Sequence, residues 1–216
     1  MTEHNFEHMR RAMVASQLRT TGVNDPRVLA ALGEVPRERF VPQDRVAAAY
    51  ADAVLPLGYG REMNSPMALG RLLTEASLTG KERALVVGSA AGYAAAVVAR
   101  LARSVVALEE EPALVAAARS ALEGTGVLVA EGPLTDGWPT GSPYDFILID
   151  GAVEYVPQSL VDQLADGGAL ACALLENGVS RLCIGRVTAG AFGLQAFSDT
   201  AAAVLPGFSK PRSFTF

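Results

Sequence analysis

The 216-residue chain is short of the residue types from which metal sites, disulfide frameworks and nucleic-acid faces are built. Its two histidines, His4 and His8, lie near the start, so a His/Cys metal cluster has almost nothing to draw on and no metal is expected. The two cysteines, Cys172 and Cys183, sit in apolar strand-like runs and read as buried free thiols of a reducing cytoplasm rather than as a disulfide. Basic residues do not cluster. With a formal charge of −5 and a pI of about 5.1, the chain lacks the surface that phosphate neutralisation needs, so no nucleic-acid partner is expected. The one local pair, Arg10-Arg11, reads as a solvated helix face. No uncharged apolar run approaches the ~18 residues that span a membrane. The opening MTEHNFEHMRR has no apolar core of the signal-peptide kind, and the expected location is cytoplasmic. Aromatic residues make up 6% of the chain while half of it is hydrophobic, so Ala, Val and Leu must fill the core.

Length suits one domain at roughly 150 residues per domain, and a chain of this size buries roughly 70% of its unfolded surface. Residues 5–20 carry Phe6, Met9, Met13 and Leu18 at helical spacing, and Gly22 ends that helix. Asn24-Asp25-Pro26 offers a cap and a first-turn proline to a second helix through VLAALGEV. VPRERFVP (35–42) reads as an ordered loop. From residue 82 the rhythm changes. The apolar runs ALVV (84–87), SVVALE (104–109), GVLVAE (126–131), YDFILID (144–150) and GALACALL (168–175) read as strands. Helical stretches at 94–102, 112–122 and 156–164 lie between them, with Gly167-Gly168 as a helix stop. Such strands indicate a parallel sheet covered on both faces. The tail (LCIGRVT, FGLQAFSDT, SFTF) reads as antiparallel strands finishing that sheet. The expectation is a single α/β domain over 1–216: a helical section at 1–65, then a Rossmann-like, doubly wound, mostly parallel sheet core at 82–216.

The first buried strand runs into Gly88-Ser89-Ala90-Ala91-Gly92-Tyr93, the turn where doubly wound folds bind nucleotides. The spacing is not GxGxxG and no P-loop lysine follows, which argues against a dinucleotide enzyme. Glu109 ends the second strand 21 positions after Gly88, where a carboxylate would accept ribose hydroxyls. Glu131-Gly132 closes the third strand, and the three places together indicate a nucleoside site. Upstream, GREMNSPM (60–67) packs Arg61, Glu62, Asn64 and Ser65 before Pro66. Ser65-Pro66 makes a good helix start, a role that does not exclude a ligand contact.

VPRERFVP at 35–42 and AYADAVLPLGYG at 49–60 resemble the N-terminal signature of protein-L-isoaspartate O-methyltransferases, and GSAAGY at 88–93 stands where that family has a GTGSGY-like loop. SVVALE, GWP (137–139), PYDFILI (143–149) and VPQSLVDQLADGGAL (156–170) follow in the family's order, so the resemblance covers about residues 8 to 172. The final 40 residues match poorly. The resemblance implies the class I methyltransferase fold, S-adenosylmethionine as cofactor, and methyl transfer to the carboxylate of isoaspartyl residues in damaged proteins or peptides. It places Gly88, Ser89, Gly92, Glu109, Glu131 and Gly132 at the cofactor, and Asn64 or Ser65 at the acceptor. Such a reaction needs little acid–base help, since positioning an ionised acceptor and an activated donor supplies most of the rate.

The departures from the family pattern fall at the site. Val86 stands where the family has an acid, and Ala90 where it has a glycine. In the family's GQTISQP-like segment the serine position is Asn64 and a threonine position is Glu62. An asparagine amide can donate to a carboxylate, whereas Glu62 and Asp150 are anions near an anionic acceptor. At an effective dielectric near 20, like charges ~6 Å apart repel by about 2–3 kcal/mol. Two further readings follow: a methyltransferase with another acceptor, or a non-catalytic relative with a degraded cofactor loop that acts through protein contacts.

Overall fold

The computed structural model describes residues 3–210, and the closing SFTF run lies outside them. Helix α1 (Glu3–Ala12) continues through a π-helical stretch (Met13–Leu18) and a 3-10 turn (Arg19–Thr21) to Gly22, so the first helix forms as its apolar spacing requires. Met13, Leu18 and Val23 are fully buried. Asp25 caps α2 (Pro26–Glu34), its carboxylate accepting from the Arg27 N–H at 2.8 Å. VPRERFVP forms a 3-10 turn (Arg37–Phe40). Two short antiparallel strands, β1 (Leu55–Gly58) and β2 (Arg61–Met63), then make a hairpin inside the section expected to be helical. Three- and four-residue strands carry too little alternation to be read from sequence. Their register turns Arg61 and Met63 inward and Glu62 outward. Helix α3 (Pro66–Ala76) starts at Ser65 and packs on the sheet.

The sheet core follows as β3 (Arg83–Val87), α4 (Tyr93–Val98), β4 (Ser104–Glu109), α5 (Pro112–Ala121), β5 (Leu128–Glu131), β6 (Tyr144–Val153), α6 (Gln158–Val161), β7 (Leu164–Glu176), β8 (Val179–Thr188) and β9 (Ala191–Asp199). Seven strands lie in the order β5-β4-β3-β6-β7-β8-β9. Strands β3 to β7 are parallel, and the tail adds β8 and β9 antiparallel. Chain direction across the sheet reverses between β3 and β6, the crevice in which ligands of such sheets bind.

Alternate residues of β3 feed two cores. Ala84 and Val86 face the core built with α2, α3, α4 and α5, whereas Leu85 and Val87 face a second core. That second face has less helix than expected: α6 is four residues long, and Leu164 already belongs to β7. Gln163 explains the early stop. Its side-chain nitrogen donates to the carbonyls of Asp136 and Ser159, and its oxygen accepts from the Trp138 N–H, all at 2.8 Å. Gly167 and Gly168 accordingly lie within β7 rather than ending a helix. The C-terminal segment closes the remaining gap, with Leu205 and Phe208 buried in the second core. Among the described residues no helix is long and apolar enough to cross a membrane.

Candidate active site at the carboxyl ends of the strands

The turn after β3 is pinned from β4. Gly88 N–H and Ser89 N–H both donate to the Leu108 carbonyl at 3.0 Å, and Gly92 N–H donates to Ser89 at 2.8 Å. Gly88, Ala90 and Gly92 all have positive φ, at 74°, 47° and 100°. Alanine in that region costs on the order of 1–2 kcal/mol. The turn keeps it because the Ala90 N–H donates to Glu109 Oε2 at 2.8 Å. Ser89 is buried, and its hydroxyl has no hydrogen-bond partner among the described residues.

Glu109 ends β4 with no exposed surface. Its Oε1 accepts from Arg61 Nη1 at 2.6 Å and from the N–H groups of Glu110 and Glu111 at 3.0 and 3.1 Å. A buried carboxylate is tolerated only with such compensation, which one cation and three backbone donors supply here. Arg61, itself buried, also donates from Nη2 to the Gly88 carbonyl at 3.0 Å. The acid expected to receive ribose hydroxyls is thus satisfied from within the chain. Glu131 is exposed, and its carboxylate lies 3.6 Å from Arg119. Gly132 N–H donates to the Glu109 backbone carbonyl at 3.1 Å, which holds the ends of β4 and β5 level.

Asn64 and Asp150 meet across 86 positions of sequence: Asn64 Nδ2 donates to Asp150 Oδ1 at 2.8 Å. Asn64 Oδ1 accepts from the Ala203 N–H at 2.8 Å, so the amide is oriented at both ends. Burial pushes the Asp150 carboxyl above its ordinary range, opposed by the Asn64 hydrogen bond and by the charges of Arg37 and Arg61. Arg37 braces the same strand end. It is fully buried, with Nε on the Ala49 carbonyl and Nη2 on the Asn64 carbonyl, both at 2.6 Å, and its guanidinium lies 4.7 Å from the centre of the Tyr93 ring. Burial lowers its pKa, with Tyr93 and Asp150 acting in the opposite direction. Ser65 points the other way, its hydroxyl accepting from the Ala68 N–H at 3.2 Å as the cap of α3. The structure therefore brings Asn64, Asp150 and the glycine turn together, and turns Ser65 into its helix and Glu62 to solvent.

Two participants carry no sequence signal of their own. Arg61 is one. The other is the segment after β9: Ala152 N–H donates to the Ala203 carbonyl at 2.6 Å, and Leu205 N–H donates to the Ala152 carbonyl at 2.9 Å. Val204 and Ala152 form a parallel bridge, which lays residues 203–205 along the end of β6. Leu205 then fills the ground beside the turn. A Cβ placed on Gly88 would lie 2.6 Å from Leu205 Cδ1 and 3.0 Å from Arg61 Nη2. Nearby, a cleft of about 280 Å³ opens between Phe40, Pro42, Tyr59, Ala91 and Leu114.

Comparison with known proteins bears on this arrangement. Residues 9–183 match the family model for protein-L-isoaspartate(D-aspartate) O-methyltransferase. Protein-L-isoaspartate O-methyltransferase 1 of Rhodopseudomonas palustris is 42% identical over 77% of this chain and 69% of its own length. Protein-L-isoaspartate O-methyltransferase 2 of Marinobacter nauticus is 39% identical over 90% of this chain and 91% of its own. Among solved structures, a protein-L-isoaspartate O-methyltransferase superimposes with a TM-score of 0.81 at 23% identity, over 92% of this chain and 66% of that one. A Plasmodium falciparum protein described as a putative protein-L-isoaspartate O-methyltransferase, solved with S-adenosyl-L-homocysteine, gives 0.75 at 18% identity, over 91% and 97%. At those identities the two structures speak for the fold, which is that of the class I methyltransferases.

Proposed function

The chain belongs to the protein-L-isoaspartate(D-aspartate) O-methyltransferase family, S-adenosylmethionine-dependent methyltransferases of isoaspartyl residues, and on that premise we propose that Asn64 and Asp150 form its acceptor site. The observation that carries this assignment is the 2.8 Å contact between Asn64 Nδ2 and Asp150 beside the glycine turn. A primary amide has two N–H donors, so Asn64 can hold Asp150 and offer the second to an incoming carboxylate. With its pKa raised, Asp150 is more readily protonated, and in that form it presents no second anion to the acceptor. Arg37 keeps the Asn64 backbone in place and so positions the amide. The apolar cleft beside Tyr59 offers a face for the chain flanking the acceptor. In our reading all 216 residues act as one domain working in the cytoplasm.

Gly88, Ser89, Gly92, Glu109, Glu131 and Gly132 remain the proposed cofactor surface. The open backbone of the glycine turn and the Ser89 hydroxyl, buried and unpartnered among the described residues, fit a nucleoside group, and in the present conformation two side chains border them. Leu205 stands against Gly88, and Arg61 holds Glu109. That occupancy favours a second reading, a relative that has given up the cofactor and acts through protein contacts. One assay separates the two. With labelled S-adenosylmethionine, an isoaspartyl peptide is expected to gain label and its aspartyl counterpart none, with Asn64→Ala lowering the rate at least tenfold. No label in either peptide from folded protein would leave only the second reading.

A further inference from the structure

We propose that the Asn64–Asp150 pair serves a second acceptor, the side-chain carboxamide of an asparaginyl or glutaminyl residue in a polypeptide, with Asp150 taking a proton from the amide nitrogen as it is methylated. The inference rests on the acceptor site assigned above. A primary carboxamide presents N–H donors on one side and a carbonyl acceptor on the other. The pair presents the complement. Asn64 Oδ1 is taken by the Ala203 N–H at 2.8 Å, which fixes the amide with Nδ2 on Asp150 Oδ1 and leaves its second N–H to donate. Asp150 Oδ2 has no donor among the described residues, and Asp150 is partly exposed, so that oxygen is open to accept. An isoaspartyl carboxylate has no N–H to give it.

The pair stands where a methyl group would be passed. Strands β3 and β6 pair Val87 with Ile149, so Gly88 of the cofactor turn and Asp150 come next on adjacent strands. The charged and titratable groups acting on Asp150 are Arg37 of the 3-10 turn, Arg61 of β2, Glu109 of β4 and Tyr93 of α4. Arg61 is paired with Glu109, whereas Arg37 donates to carbonyl groups and keeps its charge. That charge opposes an ammonium acceptor and leaves a neutral carboxamide unaffected. In the transfer, the amide nitrogen forms its bond to the methyl carbon as the carbon–sulfur bond of the sulfonium breaks. One amide proton passes to the Asp150 carboxylate, and the sulfur leaves as a neutral thioether. Burial raises the Asp150 pKa, which makes its ionised form a better base. The ionised form suits the carboxamide and the protonated form the carboxylate, so the two acceptors call for opposite states of one group.

The test uses the full chain and four peptides that differ at one side chain: isoaspartyl, aspartyl, asparaginyl, and asparaginyl with its amide nitrogen dimethylated. Calorimetry measures their binding, alone and with S-adenosylhomocysteine. Labelled S-adenosylmethionine measures transfer, and alkali separates the products, since a methyl ester is hydrolysed and a methylamide survives. The asparaginyl peptide is expected to bind at least tenfold more tightly than its dimethylated form and to gain alkali-stable label at a rate that rises with pH. Asp150→Asn, which turns a donor toward the peptide amide, is expected to weaken that binding at least tenfold. Alkali-labile label in the isoaspartyl peptide alone, with no preference for the asparaginyl peptide over its dimethylated form, would overturn the second acceptor and leave the isoaspartyl reading standing. Binding of the asparaginyl peptide without stable label would overturn the transfer. No label and no binding with any peptide would overturn both readings. Should Asp150→Asn fail to fold, the two asparaginyl peptides on the wild type decide by the same criteria.

Discussion

Two carboxyl groups at neighbouring strand ends have been given different surroundings, and the difference sets what each can do. Fully buried Glu109 receives a guanidinium and three backbone N–H groups, whereas partly buried Asp150 receives one amide N–H. Burial is therefore the leading influence on Asp150 and raises its pKa. In the unfolded chain an aspartate ionises near pH 4 (about 3.9), while the folded protein holds the proton to higher pH. Over that window the unfolded state binds fewer protons, so stability falls as pH rises. Asp150→Asn removes the ionisation while keeping an oxygen to accept from Asn64. Its melting temperature relative to wild type is expected to climb as pH goes from 4 to 7, measured by thermal denaturation in matched buffers. A difference that stays flat or shrinks with pH would contradict the raised pKa.

At the scale of elements, the segment GREMNSPM divides its work between a strand, a polar contact and a helix cap. Ser65 belongs to the cap: its hydroxyl satisfies the Ala68 N–H and Pro66 opens the helix. Ser65→Ala is expected to cost about 1 kcal/mol, as for other N-cap serines. In a chain of this length that is a fall of roughly 2–4 °C in melting temperature. Calorimetry reads the stability, and methylation per folded molecule is expected to hold within twofold. A tenfold loss of rate with little loss of stability would instead place Ser65 in the chemistry, beside Asn64. The longer elements were legible in the sequence because their apolar period runs for many residues. The β1–β2 hairpin and the shortened α6 were not. The first is too brief to show a period, and the second ends because the Gln163 side chain reaches Asp136, Trp138 and Ser159, partners that no local pattern names.

For the whole molecule, the tail completes both the sheet and its second core. Cys172 of β7 and Cys183 of β8 stand directly opposite one another there, free and buried. Burial raises the pKa of each thiol, which suppresses the reactive thiolate. A thiol reagent such as Ellman's is expected to find neither cysteine in the native protein and both after denaturation, in a time-resolved titration. Rapid labelling under native conditions would mean that the sheet opens between β7 and β8. The alternation of strands and helices, the glycine turn at 88–92, the acid ending β4 and the cap at Ser65 are written in runs of neighbouring residues, so the sequence by itself determined them and with them the family. Who meets whom in the site was decided only by tertiary structure. Arg61 reaches Glu109 across 48 positions, and Ala203 reaches Asn64 across 139. Such pairings depend on how separate elements pack and which buried groups then need partners, and no periodicity along the chain records that choice.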